Sequence, residues 1–375
     1  MNEKRGYVLR QTFGLMLVVL LLAGCGGAST QPTATPAPEK AAIVSTTAPS
    51  PTDTIEPTTP PTATAKATMP PPTATPEPTA PAVGRGEYLG QTPPGLTPEI
   101  FAPGIISTGD FEFAGTFSPD GREFFFTRRR SGGNRIWYTR LDGDGWTTPE
   151  LAPFACDCFE FEPHITPDGQ RLYFGSRRPL PNDTGGNLHT WFVEKTATGW
   201  GEAQLFDWPA GDGFAMYVTV SDDATLYATS AHAIYKAEWA DGQYAQPERL
   251  GQQINALPNA AHPYIAPDGH YLIFGAQVGG PMKSSLYVSF RLDDGSWSTP
   301  QKMGDEINAT ETEMCASVSP DGKVVFFSRE VDGKRDIYWV DARIIDAYRP
   351  APAPPSTGEG GADRLYQLSP RRRQL

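Results

Sequence analysis

The sequence predicts an all-β protein, a five-bladed β-propeller, and three observations lead to this prediction. One pattern recurs five times between residues 84 and 350. Each copy has an alternating run, a tight turn and then a further strand-like run. The last copy lacks a fourth strand, and a segment at the start of the region carries the missing pattern. A ring closed by that segment leaves no exposed sheet edge.

The repeats align on an aspartate within the tight turn. Four of the five turns read Pro-Asp-Gly, in which proline fixes φ, aspartate bonds backbone N–H groups and glycine takes positive φ. The third turn reads Asp222-Asp223-Ala224 and is expected to be looser. The aligned residues are Asp120, Asp168, Asp223, Asp268 and Asp321.

Two more strands follow each turn hairpin. The third strand is exemplified by "NRIWYTRL" and the fourth by "WTTPELAPF". The fifth repeat has no fourth strand, whereas "GLTPEIFAPGIIST", residues 95–108, repeats its proline-containing pattern. We therefore expect this N-terminal strand to complete the last blade.

The ends of the chain differ from the repeat region. Residues 1–24 have a basic start and a short apolar run, typical of a secretion signal. Leu22-Ala23-Gly24-Cys25 resembles the lipobox of bacterial lipoproteins, which implies lipid attachment at Cys25 and an exported chain anchored to the outer face of a membrane. Residues 25–83 are rich in Pro, Thr and Ala and predict a disordered linker, and residues 351–375 a disordered tail.

Charge limits the partners of the repeat region. Residues 84–350 hold 22 Lys and Arg against 36 Asp and Glu, a formal net charge of −14. This field repels phosphate backbones, so nucleic acid is excluded as a partner. The membrane is expected to be contacted only through the lipid anchor, and the protein is expected to be a monomer.

The five turns resemble those of the TolB-type, WD-repeat-like propeller family, whose blades carry Ser-Pro-Asp-Gly turns. The resemblance covers the whole repeat region and implies a propeller. It does not imply one function, because such repeats occur in periplasmic scaffolds, peptidase propellers and oligogalacturonate lyases.

Two columns of the first strand are candidates for lining the central channel, because the first strand of a blade is innermost. Six residues before each turn aspartate stand Ala114, Glu162, Tyr217, His262 and Cys315. Four before it stand Thr116, His164, Thr219, Tyr264 and Ser317. For His164 we keep two interpretations, a hydrogen-bonding residue between blades and a functional residue.

Carboxylates form the main candidate site. Glu112, Glu160 and Glu313 stand eight residues before the aspartate, and with Glu162 and His262 they predict an acidic funnel at the channel mouth. It would hold a cation such as Ca²⁺, a sugar or a cationic peptide, or else be a solvated rim. No cofactor is predicted. The recurring arginines expected to pair with these glutamates or to contact a ligand are Arg128, Arg177 and Arg329.

Three cysteines remain after Cys25. In an exported protein we expect a disulfide between Cys158 and Cys315, because Cys156 and Cys158 are awkwardly close for a bridge. A zinc site on Cys156 and Cys158 has a weak signature.

Two classes of function follow. The first is a surface-tethered binding or scaffold module for an envelope protein or a glycan. The alternative is a glycan-active hydrolase or lyase that uses the channel-mouth carboxylates. A lyase for anionic polyuronates would have to overcome the net negative field, whereas a hydrolase for neutral glycans would not.

Overall fold

The computed structural model describes residues 84–181, 186–210, 213–280 and 283–351. The predicted signal peptide, the lipidated Cys25 with its linker, and all of the predicted tail but residue 351 lie outside these ranges. No helix within them is long and apolar enough to cross a membrane.

The described chain is built from five antiparallel sheets of four or five strands, with one additional two-stranded hairpin and short connections. One α-helix spans Gln252–Asn255, and 3₁₀ helices span Glu87–Gly90 and Ala342–Tyr348. The strands are β1 Glu99–Ile100; β2 Glu112–Phe117, β3 Glu123–Arg130, β4 Gly133–Asp142, β5 Gly145–Trp146 and β6 Glu150–Leu151; β7 Glu160–Ile165, β8 Arg171–Ser176, β9 His189–Thr196, β10 Gly199–Trp200 and β11 Gln204–Phe206; β12 Met216–Val220, β13 Leu226–Ser230, β14 Ala233–Ala237, β15 Trp239–Ala240, β16 Gln243–Tyr244 and β17 Glu248–Arg249; β18 Ala261–Ile265, β19 Tyr271–Ala276, β20 Ser285–Phe290 and β21 Gln301–Lys302; β22 Glu313–Val318, β23 Val324–Val331 and β24 Lys334–Asp341.

The five sheets are the blades of a propeller, as the sequence predicts. Blades one to four start at β2, β7, β12 and β18, and each runs outward through the strands that follow, except that the hairpin β15–β16 interrupts blade three between β14 and β17. The first strands contact one another in order around the molecule, and β22 of blade five contacts β2 of blade one. The ring is therefore closed.

Blade five is completed from the other end of the described chain, which confirms the predicted closure. Its strand order is β1-β24-β23-β22, and Glu99 of β1 pairs antiparallel with Trp339 of β24. Phe101, fully buried, follows β1 and packs against Phe124 of blade one and Phe326 of blade five. The apolar core thus lies between neighbouring blades, and the contact between blades five and one, where Phe101 lies, is part of it.

The turn aspartates act as predicted, with one difference. In blade one Asp120 accepts a 2.6 Å hydrogen bond from Ser118 Oγ, and the N–H of Gly121 bonds Ser118 O at 2.8 Å. The third turn is not looser. Ala224, with φ +63°, takes the glycine position, and its N–H bonds Ser221 O at 2.8 Å.

Candidate functional site

The first strand of every blade carries a bulge at the centre of the ring. Pairing with the second strand shifts register within each first strand. The bulged residue has a φ between 51° and 57°, which non-glycine residues rarely adopt. These residues form the column six before the turn aspartate, namely Ala114, Glu162, Tyr217, His262 and Cys315.

Hydroxyl groups of neighbouring blades hold these bulges. Thr127 of blade one accepts from the N–H of Glu162 in blade two at 2.8 Å, and Thr229 of blade three accepts from the N–H of His262 in blade four at 2.8 Å. Ser328 of blade five accepts from the N–H of Ala114 at 3.1 Å. The bulge therefore belongs to the fold, and the side chain it carries differs from blade to blade.

Three of the five side chains come together, and we call Glu162, His262 and Cys315 the channel triad. Glu162 Oε1 lies 3.2 Å from His262 Nε2 and 3.8 Å from Cys315 Sγ. One ligand atom from each residue lies within 4.8 Å of the other two. The sequence placed all three residues in the column expected to line the channel, but it included only Glu162 and His262 in the candidate site.

Two members of the channel triad, Glu162 and Cys315, are buried, and His262 is partly buried. Burial, reinforced by the Glu162 charge, raises the pKa of the Cys315 thiol. Tyr217 packs its ring edge-on to His262 at 5.6 Å and donates its hydroxyl to Ala316 O at 2.7 Å. Within the described residues, Glu162 Oε2 and His262 Nδ1 have no hydrogen-bond partner.

The other predicted carboxylates do not form an open acidic funnel. Glu112, Glu160 and Glu313 are fully buried at the start of their strands. Glu112 accepts from Arg128 at 2.9 Å and Glu313 from Arg329 at 3.2 Å. Each of these two arginines also donates to two carbonyls of the loop before the first strand. Each pair therefore holds that loop against the first two strands of its blade.

Blade two departs from the predicted pairing. Glu160 accepts from Arg178 at 2.7 Å, whereas the predicted Arg177 bonds Gly186 O and lies over the Phe159 ring. The reason is that β8 ends at Ser176, which leaves both arginines beyond the strand. Burial raises the pKa of Glu160, as it does that of Glu112, and Arg178 opposes the shift.

His164 is buried beside the ring of Tyr264, with ring centroids 6.4 Å apart. Burial lowers its pKa to about 4, so the imidazole is neutral at physiological pH. Two members of the same column bond the adjacent blade: Thr219 donates to Pro263 O at 2.8 Å and Ser317 to Gly115 O at 2.7 Å. This column therefore serves contacts between blades.

The cysteine pairing differs from the prediction. Cys156 is bonded to Cys158, and Cys315 is free and buried. The predicted Cys158–Cys315 bridge is therefore corrected. Cys315 lies on the inner strand β22, whereas Cys156 and Cys158 lie in the loop before β7 and bridge each other across a Cα separation of 5.2 Å.

Sequence reasoning missed a cleft between blades two and three. The cleft is open and has a volume of about 750 Å³. It includes a short outer hairpin, β15–β16, that the turn repeats do not signal. We call it the blade 2/3 cleft, and its main side chains are Asp168, Arg171, Tyr173, Asp222, Trp239 and Tyr244.

The side chains of this cleft combine an exposed ring with fixed charges. Trp239 is 40% exposed and meets Tyr244 edge-on, with ring centroids 4.8 Å apart. The Arg171 guanidinium lies 5.7 Å from the Trp239 ring and donates to Glu194 at 2.9 Å and 3.1 Å. A rigid aromatic surface beside hydrogen-bonding groups is typical of a small-molecule site.

Comparisons with known proteins give distant likenesses only. No family model matches the chain, and no curated protein matches it. Solved structures that resemble it include a TolB-type protein from Agrobacterium tumefaciens, with 18% identity and a TM-score of 0.40 over 62% of this chain and 78% of that one. TolB from Acinetobacter baumannii has 16% identity and a TM-score of 0.42 over 64% of this chain and 59% of that one.

A periplasmic gluconolactonase from Pseudomonas aeruginosa is also similar, with 16% identity and a TM-score of 0.36 over 57% of this chain and 64% of that one. The chain thus spans less than two thirds of the length of some of these proteins. At such distances the likenesses carry no argument about function. The assignment of a five-bladed propeller rests on the strand pairing of this chain.

Proposed function

We propose that this chain is a lipid-anchored, extracytoplasmic β-propeller that binds a glycan in the blade 2/3 cleft. The observation that supports this proposal is the exposed Trp239 ring beside Arg171 and the cleft carboxylates. Binding, rather than scaffolding through flat outer surfaces, is favoured because the cleft is concave and has aromatic and polar walls.

The chemistry of the cleft suits a neutral sugar. One face of a pyranose ring presents C–H groups that pack on an aromatic ring, and its rim presents hydroxyls that bond charged groups. Trp239 offers the ring, and Asp168 and Asp222 line the same cleft as hydrogen-bond acceptors. The net charge of −14 over residues 84–350 disfavours acidic polysaccharides.

The three glutamates at the starts of the first strands do not support hydrolysis. A glycosidase needs two carboxyl groups free to exchange protons or attack the sugar. Glu112, Glu160 and Glu313 each accept a hydrogen bond from an arginine and are closed to solvent. These three glutamates therefore stabilise the blades.

The proposed location rests on the sequence of the N-terminal region. Cys25 within Leu22-Ala23-Gly24-Cys25 would carry the lipid, and residues 25–83 would separate the propeller from the membrane surface. The glycan would then be one that reaches the outer face of that membrane.

The test is binding of the purified full chain to an array of neutral and acidic oligosaccharides, with Trp239→Ala beside the parent. We expect neutral glycans to bind and Trp239→Ala to weaken their binding by about 5- to 160-fold, since stacking on an aromatic ring contributes about 1–3 kcal/mol. The matched control is Trp297→Ala. Trp297 in blade four also lies beside an arginine, and the guanidinium carbon of Arg291 is 5.2 Å from the centroid of its ring.

Equal loss in both tryptophan variants would contradict the proposed site. If no glycan on the array binds, and if parent and Trp239→Ala capture the same envelope protein equally well, the partner is a protein and not a glycan. Release of a shortened sugar from a bound oligosaccharide would favour the glycan-active enzyme instead.

A further inference from the structure

The channel triad has the composition of a metal site, and it lies apart from the blade 2/3 cleft. Imidazole nitrogen, thiolate sulfur and carboxylate oxygen are together the ligands that Zn²⁺ accepts in proteins. The three come from blades two, four and five, so their meeting results from the ring and not from a local sequence motif. We propose that the channel triad binds a Zn²⁺-class divalent cation.

The spacing of the ligand atoms fits a small tetrahedral site. With Zn–N and Zn–O near 2.0 Å and Zn–S near 2.3 Å, the ligand atoms of such a tetrahedron lie about 3.3–3.5 Å apart. The separations from Glu162 Oε1 are 3.2 Å to His262 Nε2 and 3.8 Å to Cys315 Sγ. The cation can therefore be taken up with small side-chain movements.

The unpartnered carboxylate oxygen points to a ligand. Glu162 is more than nine-tenths buried, and its Oε2 has no hydrogen-bond partner among the described residues. Buried polar atoms are nearly always satisfied, because leaving one unpaired costs its full desolvation penalty. A bound cation would satisfy the carboxylate, and binding would displace the proton of the Cys315 thiol.

The backbone positions these side chains before any cation arrives. Glu162 and His262 lie on bulges whose N–H groups are held by Thr127 and Thr229 of the neighbouring blades. Arg335, on the neighbouring strand β24, is paired with Glu330 at 2.8 Å and donates to Met314 Sδ at 3.4 Å. Pre-organised ligands reduce the entropy lost on binding.

The choice of cation follows from the donors. Ca²⁺ takes about six to eight oxygen ligands, and the triad offers one carboxylate, so the Ca²⁺ considered from the sequence suits this place poorly. Three protein ligands leave a tetrahedral cation one position for water or for an atom of a ligand that enters the channel.

The test uses the full chain with its disulfide kept oxidised, titrated with Co²⁺ as a spectroscopic substitute for Zn²⁺. We expect one equivalent to bind with a thiolate-to-Co²⁺ charge-transfer band and the visible bands of tetrahedral Co²⁺, both reversed by Zn²⁺. Cys315→Ser should abolish the charge-transfer band. Glu162→Gln and His262→Gln should weaken binding on the order of 100-fold, because even outer-shell changes cost about 10–100-fold.

Two controls separate this site from others. His270→Gln removes an exposed histidine paired with Asp268, and it should change nothing. Cys156→Ser with Cys158→Ser removes the second cluster of Cys156, Cys158 and Glu160, and it too should leave the Co²⁺ spectrum unchanged. A band that survives Cys315→Ser and disappears in the Cys156/Cys158 variant would overturn the proposal.

A measurement on the unsubstituted chain guards against variants that fail to fold. Cadmium NMR of the Cd²⁺-loaded protein should report one site with a mixed sulfur, nitrogen and oxygen shell. Zn²⁺ should also raise the melting temperature, because it binds only the folded ring. Oxygen-only coordination, or no Co²⁺, Cd²⁺ or Zn²⁺ bound at micromolar protein concentration, would refute the site.

Discussion

Arg128 Nε donates a 2.9 Å hydrogen bond to Glu112 Oε1 where both side chains are closed to solvent. The same arginine donates to the carbonyls of Ile105 and Ile106 in the segment that follows β1. The Arg128 guanidinium thus joins the segment that follows the ring-closing strand β1 to the inner strand of blade one.

Replacing this arginine alone should destabilise the fold strongly. Arg128→Met leaves the Glu112 carboxylate buried without its cation, and we expect a loss of about 3–5 kcal/mol in the free energy of unfolding, measured by urea titration. Glu112→Gln combined with Arg128→Met should lose less than Arg128→Met alone, because no buried charge remains.

The matched exposed pair provides the control for that experiment. Arg130 Nε lies 2.9 Å from Asp110 Oδ2 with both side chains largely open to water. Arg130→Met should cost at most about 1 kcal/mol. Similar losses for the two arginines would show that burial does not determine the strength of these pairs.

The third turn provides a reciprocal test of backbone strain. Ala224→Gly should stabilise the protein by about 0.5–1 kcal/mol, because Ala224 has φ +63° and glycine adopts this conformation without strain. Gly121→Ala should destabilise it by a similar amount, since Gly121 has φ +67° and an added Cβ would meet no atom within 4 Å. Thermal unfolding of both variants would give opposite shifts, and shifts of the same sign would contradict this explanation.

His164 should make the fold sensitive to acid. Its pKa is about 4 in the folded state against 6.5 ordinarily, so the unfolded chain binds more protons between these values. The contribution of neutral His164 to the free energy of unfolding is fully present above pH 6.5. It is lost as the pH falls toward 4, and the loss is about 3 kcal/mol in total. The difference in the free energy of unfolding between wild type and His164→Gln should shrink by that amount, and a difference that stays constant between pH 7 and pH 4 would contradict this prediction.

The cysteine pairing can be read directly by mass spectrometry of the unreduced protein after proteolysis. We expect Cys156 and Cys158 to be linked within one peptide. Cys315 should be alkylated only after unfolding, because it is 1% exposed. A cross-linked peptide that joins Cys158 to Cys315 would contradict the structure.

Local signals explain what the sequence predicted well. The Pro-Asp-Gly turns fix backbone angles within a few residues, so their recurrence gave the number of blades. The fourth-strand pattern at residues 95–108 likewise located β1 against β24. Alternation along the inner strands identified the residues four and six before each turn aspartate as channel-lining candidates, and the structure places the column six before it on the central bulges.

What the sequence missed depends on contacts between distant segments. The bulges at Glu162 and His262 have no glycine to signal positive φ, since hydroxyls of other blades hold them. Arg178 rather than Arg177 pairs with Glu160 because β8 ends sooner than the equivalent strands β3 and β23. The blade 2/3 cleft depends on where β15–β16 packs, which no local pattern gives.

The closure of the ring sets the order in which the molecule can be made. Ser107 and Ile337 are 230 positions apart, yet the Ser107 hydroxyl bonds both the N–H and the carbonyl of Ile337, at 3.2 Å and 3.3 Å. During synthesis or export the segment around β1 leads, and its partner strand arrives after four blades have emerged. Until then β1 has no edge to join, so completion of the ring waits for nearly the whole chain and should be a late, slow step of folding.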